Sequence, residues 1–406
     1  MGIVGNGATI DILKEAEIEK ADLLIAVTSS DELNILCCMV GKKLGVSQTI
    51  ARVRDPEYSK QIHMMYEELG ISMIVNPEMD AANEISRIIR FPAALKIDTF
   101  SNGKVDLVEI KLDENSPLVG KSLIAINAKY QIRMLVCAVC RDDDVFIPNG
   151  EFVLNAKDKI YITASQVEII KLLKKLDILK AKSKDLMVIG GGRIAYYLTK
   201  QLENLNISIK LIEKNFDKCQ ELSDKLQDVT VLHGDGTDHE LLLEEGLEQT
   251  DALVCLTGFD EENILISMFA KSQGVEKVIT KVNRSNYGQI LDTAGINTVI
   301  TPRDITTNHI IRYVRGMEKS QGSEFKTLYR LVNNKVEALE FYISSETLYT
   351  NIPLKDLKIN NRILIACIIR DNEVIIPNGL DVIQPLDTVI VVTTSHTLKD
   401  FSDILK

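Results

Sequence analysis

The chain has no apolar run approaching the roughly 20 residues of a membrane-spanning helix. It also shows no basic segment followed by an apolar stretch at its start, so neither a span nor a secretion signal is read from it. Basic residues are not in excess: 47 Lys and Arg stand against 58 Asp and Glu, for a net charge of −11. That balance argues against a nucleic-acid binder, which carries a basic stripe, and against attraction to anionic lipid. Cysteines are few and odd in number, seven in all, which reads as reduced thiols in a cytoplasmic protein. The five histidines show no metal-ligand spacing. Cys137-Ala-Val-Cys140 lies in a β-like apolar run, where residues three apart point to opposite faces, so the pair reads as strand packing rather than a metal or redox site. Cys37-Cys38 reads as a packed helix pair.

What remains is a soluble globular composition, 45% hydrophobic and 26% charged, over 406 residues, enough for two to four domains. The chain is two copies of one unit. EAEIEKADLLIAVTSSDELNIL from Glu15 matches EEGLEQTDALVCLTGFDEENIL from Glu244 at an offset of 229, which pairs Asp22 with Asp251, Asp31 with Asp260 and Asn34 with Asn263. AVCRDDDVFIPNG and CIIRDNEVIIPNG repeat at the same offset, whereas GISMIVNPEMD and GINTVITPRDI align at 225.

Each unit has two parts. From Asp185 to Gly316, short apolar strands alternate with helical stretches, which predicts an α/β, Rossmann-like, doubly wound parallel sheet. The stretch that follows is rich in β-branched residues, broken by turn signals at Arg370-Asp371-Asn372 and Pro377-Asn378-Gly379, and predicts a small mixed β/α subdomain, with Pro148-Asn149 the matching turn of its first-copy equivalent. The expected boundaries are 1–94, 95–178, 183–318 and 323–406, with KKLDILKAKSKD as a linker or helix tail.

Gly190-Gly191-Gly192-Arg193-Ile194-Ala195 fits G-x-G-x-x-G/A between a strand and a helix, and Glu213 closes the next strand. Gly190 permits a tight turn, Gly192 lets a pyrophosphate approach the backbone, and Ala195 allows close helix packing. Glu213 suits an unphosphorylated ribose, hence NAD(H) or an adenine nucleotide. The competing reading is a glycine turn that binds nothing. Thr257-Gly258 and Thr28-Ser29 sit at strand ends, as do Lys281, Arg52 and Arg54, which either pair with phosphate or are solvated charges. Asp235 either reaches the ligand or forms an Asx turn. No acid–base constellation for a dehydrogenase is evident, since His233 and His239 have no counterparts in the first copy. An NAD-dependent oxidoreductase and a non-binding scaffold remain the alternatives.

GGGRIA, GDGTD, LTGFDEENILISMFAK and KVNR, followed by LVGKSL-type and IPNG features, resemble the RCK (KTN) module, and two modules in tandem resemble the TrkA family. The resemblance implies a non-enzymatic, cytoplasmic protein peripheral to the membrane. It would bind NAD(H) and ATP or ADP, assemble as a dimer or tetramer ring, and gate a potassium-translocating partner of TrkH/TrkG type. It carries ligand roles onto Gly190 to Ile194, Glu213, Thr257, Gly258 and Lys281, and in the first copy onto Thr28, Ser29, Arg52 and Arg54. In that copy Met1 corresponds to Thr230, so MGIVGNGATIDIL is expected to supply a third strand whose first two strands, about 45 residues, are absent. A truncated or mis-started gene product is the expectation, with a functional short form as the alternative. The first-copy groups are then expected to be remnants of a site with one wall, leaving one competent site per chain.

Overall fold

The computed structural model describes residues 2–58, 61, 66, 68–90, 96–100, 105–142, 144–176, 184–203, 205–284, 287–316, 323–331, 335–371, 373–394, 398 and 400–405. Met1–Ser86 with Ser183–Thr307 form one compact unit, and Arg87–Lys182 with Asn308–Lys406 a second. Most of the expected linker, residues 177–183, and Asn372 of the expected turn lie outside the described residues.

In the first copy, α1 (Ile10–Glu15) precedes β1 (Leu23–Ala26), α2 (Asp31–Lys43), β2 (Gln48–Arg52), β3 (Met73–Val75) and α3 (Pro77–Arg90). The strands form a parallel sheet in the order β1-β2-β3. Ser30 starts α2 by accepting the Leu33 N–H. The expected strand at the chain start is not formed: Gly2–Val4 is irregular and Val4 is 98% exposed. Its repeat counterpart, Val229–His233, is held by the strand Ser208–Glu213, whereas no strand lies beside Gly2–Val4 among the described residues, and a lone parallel strand has no ladder to join. The turn after it survives. Asn6 Oδ1 accepts the Ala8 N–H and Asn6 O the Thr9 N–H, as Asp235 does for Thr237 and Asp238.

The small subdomain that follows holds β4 (Lys96–Phe100), β5 (Val105–Lys111), α4 (Leu123–Tyr130), β6 (Leu135–Arg141), β7 (Asp144–Phe146), β8 (Lys159–Ala164) and α5 (Gln166–Lys175). Its sheet is antiparallel in the order β4-β5-β8-β6-β7. The expected opposite facing of Cys137 and Cys140 is corrected: both pack on one hydrophobic cluster. The ladder shifts register between Val136 and Ala138, and such a bulge breaks the two-residue alternation. Asn149 turns the chain as expected, its Oδ1 accepting the Glu151 N–H.

The second copy repeats the plan with a complete sheet. β9 (Asp185–Ile189), α6 (Arg193–Leu202), β10 (Ser208–Glu213), α7 (Phe216–Lys225), β11 (Val229–His233) and α8 (His239–Glu244) form one half. The other half is β12 (Ala252–Cys255), α9 (Asp260–Ser272), β13 (Lys277–Lys281), α10 (Gly288–Thr293), β14 (Thr298–Ile300) and α11 (Pro302–Gly316). All six strands are parallel in the order β11-β10-β9-β12-β13-β14. Met187, Val188, Leu253 and Val254 are fully buried, because helices cover both faces of the central strands. Strand order reverses between β9 and β12, the place where open α/β sheets leave a crevice. β15 (Ser323–Leu331), β16 (Val336–Ile343), β17 (Ile363–Arg370), β18 (Glu373–Ile375) and β19 (Thr388–Thr393) close the chain as an antiparallel sheet ordered β15-β16-β19-β17-β18. In both small subdomains an arginine grips a buried aspartate with two hydrogen bonds, Arg141 to Asp158 and Arg370 to Asp387. Asn378 repeats the Asn149 turn.

Candidate nucleotide site at the switch point

The apolar run of β9 ends in the glycine loop. Gly190 has φ +96°, and a Cβ there would lie 3.0 Å from the backbone of Leu256 and Thr257, so only glycine lets the β9 and β12 loops pass. Gly192 differs: its φ is ordinary and a Cβ would meet nothing within 4 Å. It is the N-cap of α6 and has no side chain to cap it, so the first N–H groups of that helix receive no bond from the N-cap residue. Ala195 is fully buried.

Glu213 holds the loop itself. Its Oε2 accepts the Gly191 N–H and its Oε1 the Asn215 N–H, both at 2.8 Å. Asp235 forms the Asx turn and also pairs with Lys214 at 2.6 Å. That Lys214 hydrogen bond is the main reason its carboxyl is held down at about 2.

The strand ends of the two copies are built alike. Asn263 accepts the Thr257 N–H and donates to the carbonyls of Thr257 and Lys281, and Asn34 does the same for Thr28 and Arg52. Asp260 accepts the N–H groups of Asn283 and Arg284, and Asp31 those of Arg54 and Asp55. The cations above these clamps fold inward. Lys281 Nζ donates to Thr257 O at 2.9 Å, and Arg52 Nη2 to Thr28 O at 2.6 Å. Burial lowers the pKa of both. Each keeps further donors, since an ammonium has three and a guanidinium five.

The glycine loop, Glu213, Asp235, Thr257 and the two inward-folded cations line one cleft of about 870 Å³ within the first compact unit. Of the residues expected from sequence, Gly190, Gly192, Arg193, Ile194, Glu213, Asp235, Thr257, Gly258, Lys281, Arg52 and Arg54 line it; Gly191, Thr28 and Ser29 do not. Arg52 and Arg54 thus stand beside the glycine loop of the second copy. Both members of two repeat-related pairs line the cleft, Arg52 and Lys281, and Glu78 and Arg303. Among the described residues, seven basic side chains line the cleft against four acidic ones, in a chain of net charge −11. That local reversal favours an anion. Arg52 Nε, Glu78 Oε2 and Thr306 Oγ1 are buried there without a hydrogen-bond partner among the described residues. Orphaned buried polar atoms are costly and mark places where another group belongs. Burial raises the Glu78 pKa, opposed in part by Arg54, Arg193 and Arg52. The sequence reading missed Glu78, Arg303 and Thr306. The signal for the first two was their alignment at the 225 offset with charge reversed.

The TrkA-N domain family matches residues 1–77 and 186–302, and the TrkA-C domain family residues 107–177 and 338–406. A Trk system potassium uptake protein TrkA homolog of Archaeoglobus fulgidus is 30% identical over 406 residues, covering 100% of this chain and 90% of that relative. The Trk system potassium uptake protein TrkA of Vibrio alginolyticus is 31% identical over 390 residues, covering 95% and 84%. Among solved structures, a GsuK RCK domain superposes with a TM-score of 0.62 at 17% identity, covering 99% of this chain and 84% of that one. A GsuK channel bound to NAD gives 0.62 at 16% identity, covering 99% and 70%. At these identities the structures establish the fold alone.

Proposed function

The chain belongs to the TrkA family of tandem RCK proteins, and on that premise we propose that it is a nucleotide-sensing regulatory subunit of a membrane potassium uptake system. It is a transport-regulatory protein, not an enzyme. No helix among the described residues is long and apolar enough to cross a membrane. Family membership supports a cytoplasmic subunit acting on a separate translocating partner of TrkH/TrkG type.

The observation that carries the reading is the shared cleft: one ligand placed there touches both copies. The open space over Gly192 and the uncapped start of α6 suit a pyrophosphate. Glu213 suits ribose hydroxyls, which favours NAD(H), ATP or ADP over a 2′-phosphorylated dinucleotide. Lys281, Arg52 and Arg54 suit further phosphate charge. A ligand bridging the copies binds two arrangements of them with different affinity and shifts their populations; a tenfold preference is worth about 1.4 kcal/mol. That is the energy available to gate ion flux.

Ring or dimer assembly has its own support. Leu36 and Met39 on α2 are 47% and 37% exposed, and their repeat counterparts Leu265 and Met268 on α9 are 64% and 42% exposed. An apolar pair exposed at the same place in both copies fits contact with further copies of this chain. Pull-down of membrane proteins by the full chain, with NADH, ATP or ADP present in turn, tests the function. Nucleotide-dependent retention of a potassium-translocating protein is expected, and retention of none under any condition contradicts it.

A further inference from the structure

Arg193, Tyr197 and Gln201 lie four residues apart along α6, which puts them on one stripe of that helix. Each reaches toward the first copy. Arg193 lines the cleft and acts on the Glu78 carboxyl. The Tyr197 hydroxyl donates to the Arg54 backbone carbonyl at 2.9 Å and accepts from Asn76 Nδ2 at 3.0 Å. Gln201 Nε2 donates to Asn83 Oδ1 at 2.8 Å.

The partners of Tyr197 are themselves fixed. Asn76 is 3% exposed and its Oδ1 accepts the Met79 N–H, capping α3. Arg54 is anchored by Asp31 through its N–H and Nε, and by Ser29 O through Nη2. A single phenol oxygen therefore ties the helix that begins at the glycine loop to the corner before α3 and to the backbone of an arginine in the cleft.

We propose that Tyr197 is a positioning residue: its hydroxyl sets the Arg52–Arg54 wall of the first copy against the glycine loop of the second. The first copy then reads the terminal phosphate of a nucleotide whose other phosphates the second copy holds. This rests on the nucleotide reading above. The physical requirement is distance, because charge–phosphate attraction falls as the wall recedes and a displacement near 1 Å is felt. Tyr197→Phe keeps the ring and removes both hydrogen bonds.

The test is calorimetric titration of the full chain with ATP, which has a terminal phosphate, and with NADH, which has none. Tyr197→Phe is expected to weaken ATP on the order of 3- to 10-fold, the worth of one hydrogen bond or two, and to leave NADH within about twofold. Arg54→Gln is expected to weaken ATP selectively too, and the double variant to bind ATP no more than about twofold worse than Arg54→Gln alone, because the two residues act as a unit. Gln201→Ala removes a hydrogen bond of the same stripe away from Arg54, and is expected to leave both nucleotides within about twofold. Equal loss of ATP and NADH in Tyr197→Phe, multiplying effects in the double variant, or the same selectivity loss in Gln201→Ala would overturn the proposal. Wild-type protein that binds neither nucleotide would overturn the underlying reading, and the proposal with it.

Discussion

Asn34 and Asn263, 229 residues apart, make the same three hydrogen bonds, and both are fully buried. Each amide staples the end of one strand to the end of the next, fixing the loop that faces the crevice. Replacing Asn263 by Ala takes this partner from the Thr257 N–H and the Lys281 carbonyl, while the Thr257 carbonyl keeps its Lys281 Nζ donor. A loss of about 2–4 kcal/mol is expected, built from roughly 1–3 kcal/mol per unsatisfied group with partial relaxation. Denaturant unfolding of Asn263→Ala and Asn34→Ala measures it, and unchanged midpoints would refute the staple.

The two outer glycines of the loop separate fold from ligand. Gly190→Ala forces a Cβ against the Leu256–Thr257 backbone at φ +96°, and a loss of about 1–3 kcal/mol of stability is expected. Gly192→Asp meets open space, so the unliganded protein is expected to melt within about 2 °C of wild type, a surface substitution's worth. It places a carboxylate where phosphate would bind, so the nucleotide-induced rise in melting temperature is expected to vanish. A preserved rise would remove Gly192 from the site.

Glu78 gives a pH dependence. Burial raises its pKa above the ordinary 4.5, so the folded chain takes up a proton that the unfolded chain takes up only at lower pH. Stability from this group is therefore gained as pH falls through the raised value, is complete below 4.5, and is lost as pH rises. The same protonation removes a negative charge from an anion-binding cleft, so nucleotide affinity is expected to rise as pH falls in that window. Glu78→Gln should bind more tightly at neutral pH and flatten the profile. An identical profile in the variant would contradict the assignment.

Assembly is tested on the α9 face. Leu265→Glu with Met268→Glu adds two charges to an exposed apolar pair, and a lower mass by light scattering is expected with nucleotide affinity retained. Unchanged mass would place the contact elsewhere.

Much of this was legible in the sequence, because two copies in one chain act as each other's control. The repeat exposed the 230-residue unit, and the glycine loop with Glu213 fell where a strand passes into a helix. Apolar runs such as Leu186–Ile189 and Leu253–Cys255 foretold a parallel sheet buried on both faces. What failed was non-local. The Gly2–Val4 strand could not form without a neighbour, and the bulge at Cys137 turned a two-residue alternation out of phase. The meeting of Arg52, Arg54 and Glu78 with the loop of the second copy depends on how two distant segments pack within one unit, which no local spacing encodes. Lys281 and Arg52 were legible as cations at strand ends, but their inward bonds to Thr257 and Thr28 carbonyls were not.

The most direct test of a single cleft shared by both copies is calorimetric titration of ATP into the wild-type chain, Gly192→Asp and Arg54→Gln. The account predicts one nucleotide bound per chain in a single transition, abolished by Gly192→Asp in the second copy and weakened by Arg54→Gln in the first. Binding untouched by Arg54→Gln, or a second independent transition that survives Gly192→Asp, would contradict it.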